Sequence, residues 1–284
     1  MISLFRRKRK PVRGVVLRAS GHTDQGSFRT SNEDCFAIDE NVALCVVADG
    51  MGGHNAGEVA AGLAVHAVLD FIRATDALSA QGSPLHSITW PYGFDPQLSD
   101  AANCLRTAVQ LANARIVEAS RTNAEYSGMG TTLVAAFVRD ARLTVAHAGD
   151  SRCYVLATDG LQLLTRDDSW AEALLSSEGP IDPEVAQRHP MKNALTNVVG
   201  TRPDLIVHVS EITLTGDELL LLSTDGVHGV LDDEWITRLL RRTDDLRETA
   251  IGLVDAALSR GSRDNCTAVV ARFSPAGRAD SAGP

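Results

Sequence analysis

The chain has 284 residues, of which 44% are hydrophobic and 22% charged, with 27 Lys and Arg against 36 Asp and Glu for a formal net charge of −9. That composition supports a buried core and excludes a low-complexity or disordered chain. Six of the basic residues fall in Met1–Arg13, so the remainder carries 21 basic against 36 acidic side chains. An acidic body argues against nucleic acid as a partner and suits one that binds cations. The apolar runs are far shorter than the roughly 20 residues of a membrane-spanning helix, and no signal-peptide core follows the basic start. The odd set Cys35, Cys45, Cys104, Cys153 and Cys266 has no C-x-x-C spacing. It reads as reduced core residues of a cytoplasmic protein.

In chain order, Met1–Arg13 reads as a solvated basic tail. A strand is expected at Val42–Ala48. A helix follows from Asn55, capped with the help of Glu58, through Ala60, Leu63, Ala67 and Phe71. Ala74–Leu98, rich in Gly, Ser and Pro, reads as a surface insertion. Ser99–Thr122 carries Ala102, Leu105, Val109, Ala112 and Ile116 at the 3-4 spacing of an amphipathic helix. Strands are then expected at Thr131–Val138, Leu143–Ala148, Cys153–Ala157, Leu161–Thr165, Leu205–Leu214, Glu218–Ser223 and Cys266–Phe273, with helices over Asp232–Arg242 and Leu246–Arg260. Short turns such as Asp159-Gly160 make the strand pairs antiparallel. Helices come in blocks and do not alternate strictly with strands, which predicts an α+β layered domain of two face-to-face sheets with helices outside. Ser274–Pro284 reads as a disordered tail.

The acids fall where apolar strands end. Asp49-Gly50, Asp150 and Asp225-Gly226 each close a strand, and Asp264-Asn265 opens one. Strand ends gather at a sheet edge, and carboxylates gathered there repel unless a cation neutralises them. Hard divalent ions prefer such oxygen ligands.

Six segments in order carry a resemblance. They are Thr23–Asp34 (TDQGSFRTSNED), Ala48–His54 (ADGMGGH), Gly128–Thr132 (GMGTT), Gly149–Arg152 (GDSR), Ser223–Gly226 (STDG) and Ser262–Thr267 (SRDNCT). Together they resemble the metal-dependent, 2C-type Ser/Thr protein phosphatases, in particular the bacterial branch, over about Arg18 to Phe273. The resemblance implies a four-layer α-β-β-α sandwich as a phosphatase domain spanning 14–273. It implies hydrolysis of phosphoserine and phosphothreonine in proteins by water activated between two Mn²⁺ or Mg²⁺ ions. Residue by residue, Asp49 would bridge the two ions, Gly50 would lend its carbonyl to one, and Asp225 and Asp264 would bind the other. Glu33 and Asp34 would act as outer ligands, Asp150 would help to hold a third, weaker ion, and Arg29 would clamp the phosphate.

The expected partners are phosphorylated proteins and a cognate bacterial Ser/Thr kinase, with the enzyme a monomer. Met51 stands where many eukaryotic relatives have a histidine after Asp-Gly, so the leaving-group acid is unassigned, with His54 a weak candidate. Asp168 to Leu195 matches the family's mobile flap, and His147 reads as a packed core histidine. The alternative function is a catalytically silent, phosphoprotein-binding regulator of the same fold.

Overall fold

The computed structural model describes residues 15–53, 56–80, 90–176, 189–216 and 218–275. The strands are β1 (Val15–Asp24), β2 (Asp34–Asp39), β3 (Leu44–Met51), β4 (Gly130–Thr131), β5 (Leu133–Arg139), β6 (Arg142–Ala148), β7 (Arg152–Ala157), β8 (Gly160–Leu163), β9 (His208–Thr213), β10 (Leu219–Ser223) and β11 (Cys266–Pro275). The helices are α1 (Ala56–Ala80), α2 (Asp100–Thr122), α3 (Trp170–Leu175), α4 (Asp225–His228), α5 (Asp233–Leu240) and α6 (Leu246–Ser259). One sheet runs β1-β11-β10-β7-β8, the other β2-β3-β5-β6-β9 with β4 beside β3. Every strand pair is antiparallel.

The period of two along a strand explains why the central strands read as unbroken apolar runs. In β11, Val269, Ala271 and Phe273 enter the core between the sheets, while Cys266, Ala268 and Val270 face the opposite way, onto α5 and α6. In β3, Cys45 and Val47 point between the sheets, and Leu44, Val46 and Ala48 pack under α1 and α2. Each sheet is thus covered on both faces, and three apolar layers separate four layers of backbone. The helix caps follow their sequence: the Ser99 hydroxyl accepts from Ala102 N at 3.1 Å, and the Asp232 carboxylate from Trp235 N at 2.9 Å.

The two strands that the sequence does not announce, β1 and β2, are the edge strands of their sheets. An edge strand needs no continuous apolar run, and VVLRASGHTD and DCFAID lack one. The expected insertion at Ala74–Leu98 begins instead inside α1, which continues to Ala80. Beyond it Trp90 packs against the core under α2 and lies 5.4 Å from the Phe94 ring. The expected tail at Ser274 is also corrected at its start. Ser274 and Pro275 extend β11 opposite Val16 and Val15. The apolar stripe expected for α1 is displaced: Ala60 and Ala67 are buried, but Leu63 and Phe71 are half-buried. The close face of α1 is made instead by Ala61, Ala64, Val65, Val68 and Ile72, small enough to let α2 approach. The stripe of α2 is buried throughout, as its spacing predicts. The basic tail, Asn55 and His54 lie outside the described residues.

Leu143, fully buried between the sheets, should lose about 2–5 kcal/mol on truncation to Ala. Leu163, exposed on edge strand β8, should lose about 0.5 kcal/mol or less. Equilibrium denaturant unfolding distinguishes the two.

Candidate active site

The carboxylates converge at one end of the sandwich because the strands that carry them end together. Asp34 opens β2 and Asp49 lies two residues before the end of β3, and the register sets them directly opposite each other. Like charges facing across a strand pair are destabilising, so something must balance this pair. On the other sheet, Asp225 follows β10 and starts α4, and Asp264 lies two residues before β11. The Asp225 carboxyl is within hydrogen-bonding reach of Asp49. Asp34, Asp49, Asp150, Asp225 and Asp264 thus lie at the same end of the sandwich, close enough for each to disfavour the ionisation of others.

Asp34 is the link between the sheets. Its Oδ2 accepts from Thr224 Oγ1 at 2.9 Å and from Thr267 Oγ1 at 2.6 Å, both on the facing sheet. Its Oδ1 is buried without a protein partner, as is Asp225 Oδ1. Asn265 ties the loop before β2 to the same end: its Oδ1 accepts from Glu33 N at 2.9 Å, and its Nδ2 donates to the carbonyls of Gln25 and Ser31, each at 2.9 Å. Thr132 fixes Asp49, its hydroxyl accepting from Asp49 N at 3.0 Å while its own N donates to Asp49 O at 2.9 Å.

Gly50 is required by space. Its N donates to Glu33 O, and a Cβ on it would stand 2.1 Å from Gly57 O. Gly57 in turn gives way to the Glu33 carboxyl, which a Cβ there would meet at 2.6 Å. The main chain at Gly50 is thereby held against Glu33. Arg29, half-exposed, ion-pairs through Nη2 with Asp264 Oδ2 at 2.6 Å. The guanidinium thus stands at the mouth of the cluster, and Asp264 is its partner.

Burial first, and the neighbouring acids second, raise the pKa of this group. Asp34 is pushed up to about 7, with its two threonine bonds only partly opposing. Asp49 is held well above the usual carboxylate range by desolvation and by Asp34, Asp225, Asp264 and Asp150. Asp150 also rises to about 7, by burial and by Asp225. Desolvation and Asp264 raise Asp225, and desolvation raises Glu33 against the opposing pull of Arg29. The cluster is a concentration of negative charge that the protein by itself does not balance.

The segment from Asp168 to Leu195 is pinched at its base. Ser169 bridges Leu195, and Thr196 N donates to Asp168 O at 2.8 Å. The Asp168 carboxylate accepts from Gly149 N at 3.0 Å, Asn197 Nδ2 at 2.7 Å and His208 Nε2 at 2.8 Å. It therefore anchors this segment beside Asp150. Residues 177–188 lie outside the described residues. His147 is buried with its Nε2 against the Arg166 backbone and its ring stacked on His208 at 5.0 Å, a core position as read. Sequence reasoning gave no role to Thr132, Thr224, Thr267, Asn265 or Asp168. The available signal was a polar side chain at the end of an apolar strand.

The sequence profile of the family described as Protein phosphatase 2C matches residues 19–260. The chain is 33% identical over 257 residues to the serine/threonine phosphatase stp of Listeria monocytogenes, covering 89% of this chain and 95% of that one. It is 34% identical over 263 residues to the serine/threonine protein phosphatase PstP of Mycobacterium tuberculosis, covering 90% of this chain and 45% of that one. The crystal structure of the M. tuberculosis phosphatase PstP/Ppp superposes with a TM-score of 0.75 at 32% identity, covering 90% and 98% of the two chains. The catalytic domain of PstP in complex with two manganese ions superposes with a TM-score of 0.74 at 30% identity, covering 92% and 100%.

Because the folded chain holds these acids protonated to higher pH than the unfolded chain does, it binds more protons and loses stability as pH rises. The melting temperature of the EDTA-treated protein should therefore fall between about pH 5 and about pH 8. Added Mn²⁺ should raise it more at the upper end, where protons no longer compete for the carboxylates. Calorimetry at the two pH values checks both signs.

Proposed function

Since the chain belongs to the protein phosphatase 2C family and is a metal-dependent Ser/Thr protein phosphatase, we propose that Asp49, Gly50, Asp225 and Asp264 hold its two divalent ions. The donor set fits the group. Asp34 Oδ1 and Asp225 Oδ1 are buried and lack protein partners, and the close-packed backbone at Gly50 leaves no room for a side chain. Among the described residues no three His, Cys, Asp or Glu side chains close around one point. Mg²⁺ and Mn²⁺ take a few carboxylates and fill their remaining positions with solvent. When bound, the ions supply Lewis acidity for the attacking water and neutralise phosphoryl charge.

The roles proposed for the chain's own groups follow from their places. Asp49, between Asp34 and Asp225, is the acid that can serve two ions at once. Gly50 offers its carbonyl. Glu33 and Asp34 act from the outer side, through water, with Asp34 spending one oxygen on Thr224 and Thr267. Asp150 serves a third, weaker ion. Arg29 stands at the mouth with a planar guanidinium that can grip two phosphoryl oxygens, and its bond to Asp264 holds it there until the phosphate arrives. No covalent enzyme intermediate is needed, and Met51, placed directly after Gly50, has no proton to give the leaving group.

The single observation that carries the reading is the convergence of Asp34, Asp49, Asp225 and Asp264 from two sheets onto one site. Bacterial Ser/Thr phosphatase relatives support a role in reversing the work of a bacterial Ser/Thr kinase. Five unpaired cysteines support the cytoplasm. Three cores completed within one chain support a monomer. Among the described residues no helix is long and apolar enough to cross a membrane.

Phosphate release from a phosphothreonine peptide should need Mn²⁺ or Mg²⁺, stop with EDTA, and be abolished by Asp49→Asn, which removes the side chain's negative charge and one of its two oxygen ligands. A wild-type protein that binds the peptide but, with ample Mn²⁺, hydrolyses neither it nor a small aryl phosphate would instead be the silent regulator. Arg29→Ala should lower kcat/KM roughly ten- to a hundredfold, the worth of a charge-assisted pair of hydrogen bonds. Arg29→Lys should recover only part of it, because a point charge cannot reproduce the fork.

A further inference from the structure

Besides the three hydrogen bonds of Asn265, two side-chain contacts join the loop before β2 to the turn before β11. Arg29 meets Asp264 at 2.6 Å. One residue earlier on each segment, the Arg263 guanidinium lies over the Phe28 ring, 4.9 Å from its centroid. Neighbouring Cα atoms are about 3.8 Å apart, so the second contact sits immediately beside the first. It is the more open of the two: Phe28 is 60% exposed, and Arg263 is exposed as well.

A lone exposed aromatic is unremarkable on a protein surface, but this one is held by a cation at the rim of the candidate phosphate site. Arg263 forms no ion pair among the described residues. Its guanidinium is satisfied on one face by the ring and is left with N–H donors facing solvent. An apolar surface and an uncompensated positive charge therefore lie together next to Arg29, on a chain whose net charge is −9.

We propose that Phe28 and Arg263 form a substrate shelf that receives the residues flanking the phosphorylated side chain, an apolar neighbour against the ring and an acidic neighbour on the guanidinium. The inference rests on the reading of the adjacent cluster as the phosphatase centre. A phosphoprotein segment whose phosphate reaches Arg29 must pass within a residue or so of this pair. The shelf therefore acts on the substrate chain, through KM, and takes no part in the reaction at phosphorus.

The test compares kcat and KM for phosphothreonine peptides that carry Glu, Ala or Lys beside the phosphorylated residue, with a small aryl phosphate as a substrate that has no flanks. The wild type should favour Glu over Lys roughly two- to fivefold, the strength of an exposed ion pair. Arg263→Gln should remove that preference through KM, and Arg263→Lys should keep part of it. Phe28→Ala should raise KM for peptides with an apolar neighbour. The effects should be confined to peptides. A wild type indifferent to the flanking charge, an Arg263→Gln variant that keeps the preference, or aryl phosphate turnover falling in step with peptide turnover would each overturn the shelf. Wild-type protein active on aryl phosphate but failing these comparisons loses the shelf alone, whereas protein silent on every substrate loses the phosphatase reading with it.

Discussion

One carboxylate joins the two halves of the molecule at the end that matters. Asp34 leaves the edge of one sheet and accepts hydrogen bonds from Thr224 and Thr267 on the other. Thr267 N also donates to Thr224 Oγ1 at 3.0 Å, and Thr23 and Thr267 share a hydroxyl contact at 2.7 Å. The apolar layer between the sheets is non-directional and would tolerate small slides of one sheet over the other. These buried bonds are directional, and they fix the relative position of β2, β10 and β11 where Asp49, Asp225 and Asp264 emerge. The distances within the carboxylate cluster thus depend on a few threonine hydroxyls.

That bracket holds together groups that repel. Burial raises the free energy of every ionised acid in the cluster, and each acid raises its neighbours further. Arg29 ion-pairs with Asp264 and opposes the rise at Glu33 and Asp225 only in part. The fold is built around a concentration of negative charge, which on the proposed reading divalent cations would neutralise, linking metal occupancy to stability.

The loops around the cluster are tied down by similar means. Arg152 grips Asp167 through two bonds, at 2.9 and 2.7 Å, and Asp168 takes three donors from Gly149, Asn197 and His208. The base of the 168–195 segment is therefore fixed directly beside Asp150. On the opposite rim, the Arg29–Asp264 and Phe28–Arg263 contacts join two loops that are more than 230 residues apart in sequence. The end of the sandwich that carries the carboxylates is tied by hydrogen bonds at its floor and by side-chain contacts at both rims.

Much of this was legible in the sequence, for a physical reason. The central strands and α2 announce themselves because burial on both faces or along one stripe demands a recognisable apolar pattern, and Asp49, Asp225 and Asp264 stand out as charges at the borders of such patterns. The edge strands β1 and β2 escape because half-exposed backbone pairing constrains side chains weakly. The sequence by itself determined the layers, the metal-binding chemistry and the family. Only the tertiary structure decided that Asp34 faces Asp49 in register, that Thr224 and Thr267 bind it across the sandwich, and that Arg29 rests on Asp264. The Thr224, Thr267 and Asp264 contacts join residues far apart along the chain, at distances set by the packing of one sheet on the other, whereas the pairing of β2 with β3 within one sheet sets Asp34 opposite Asp49.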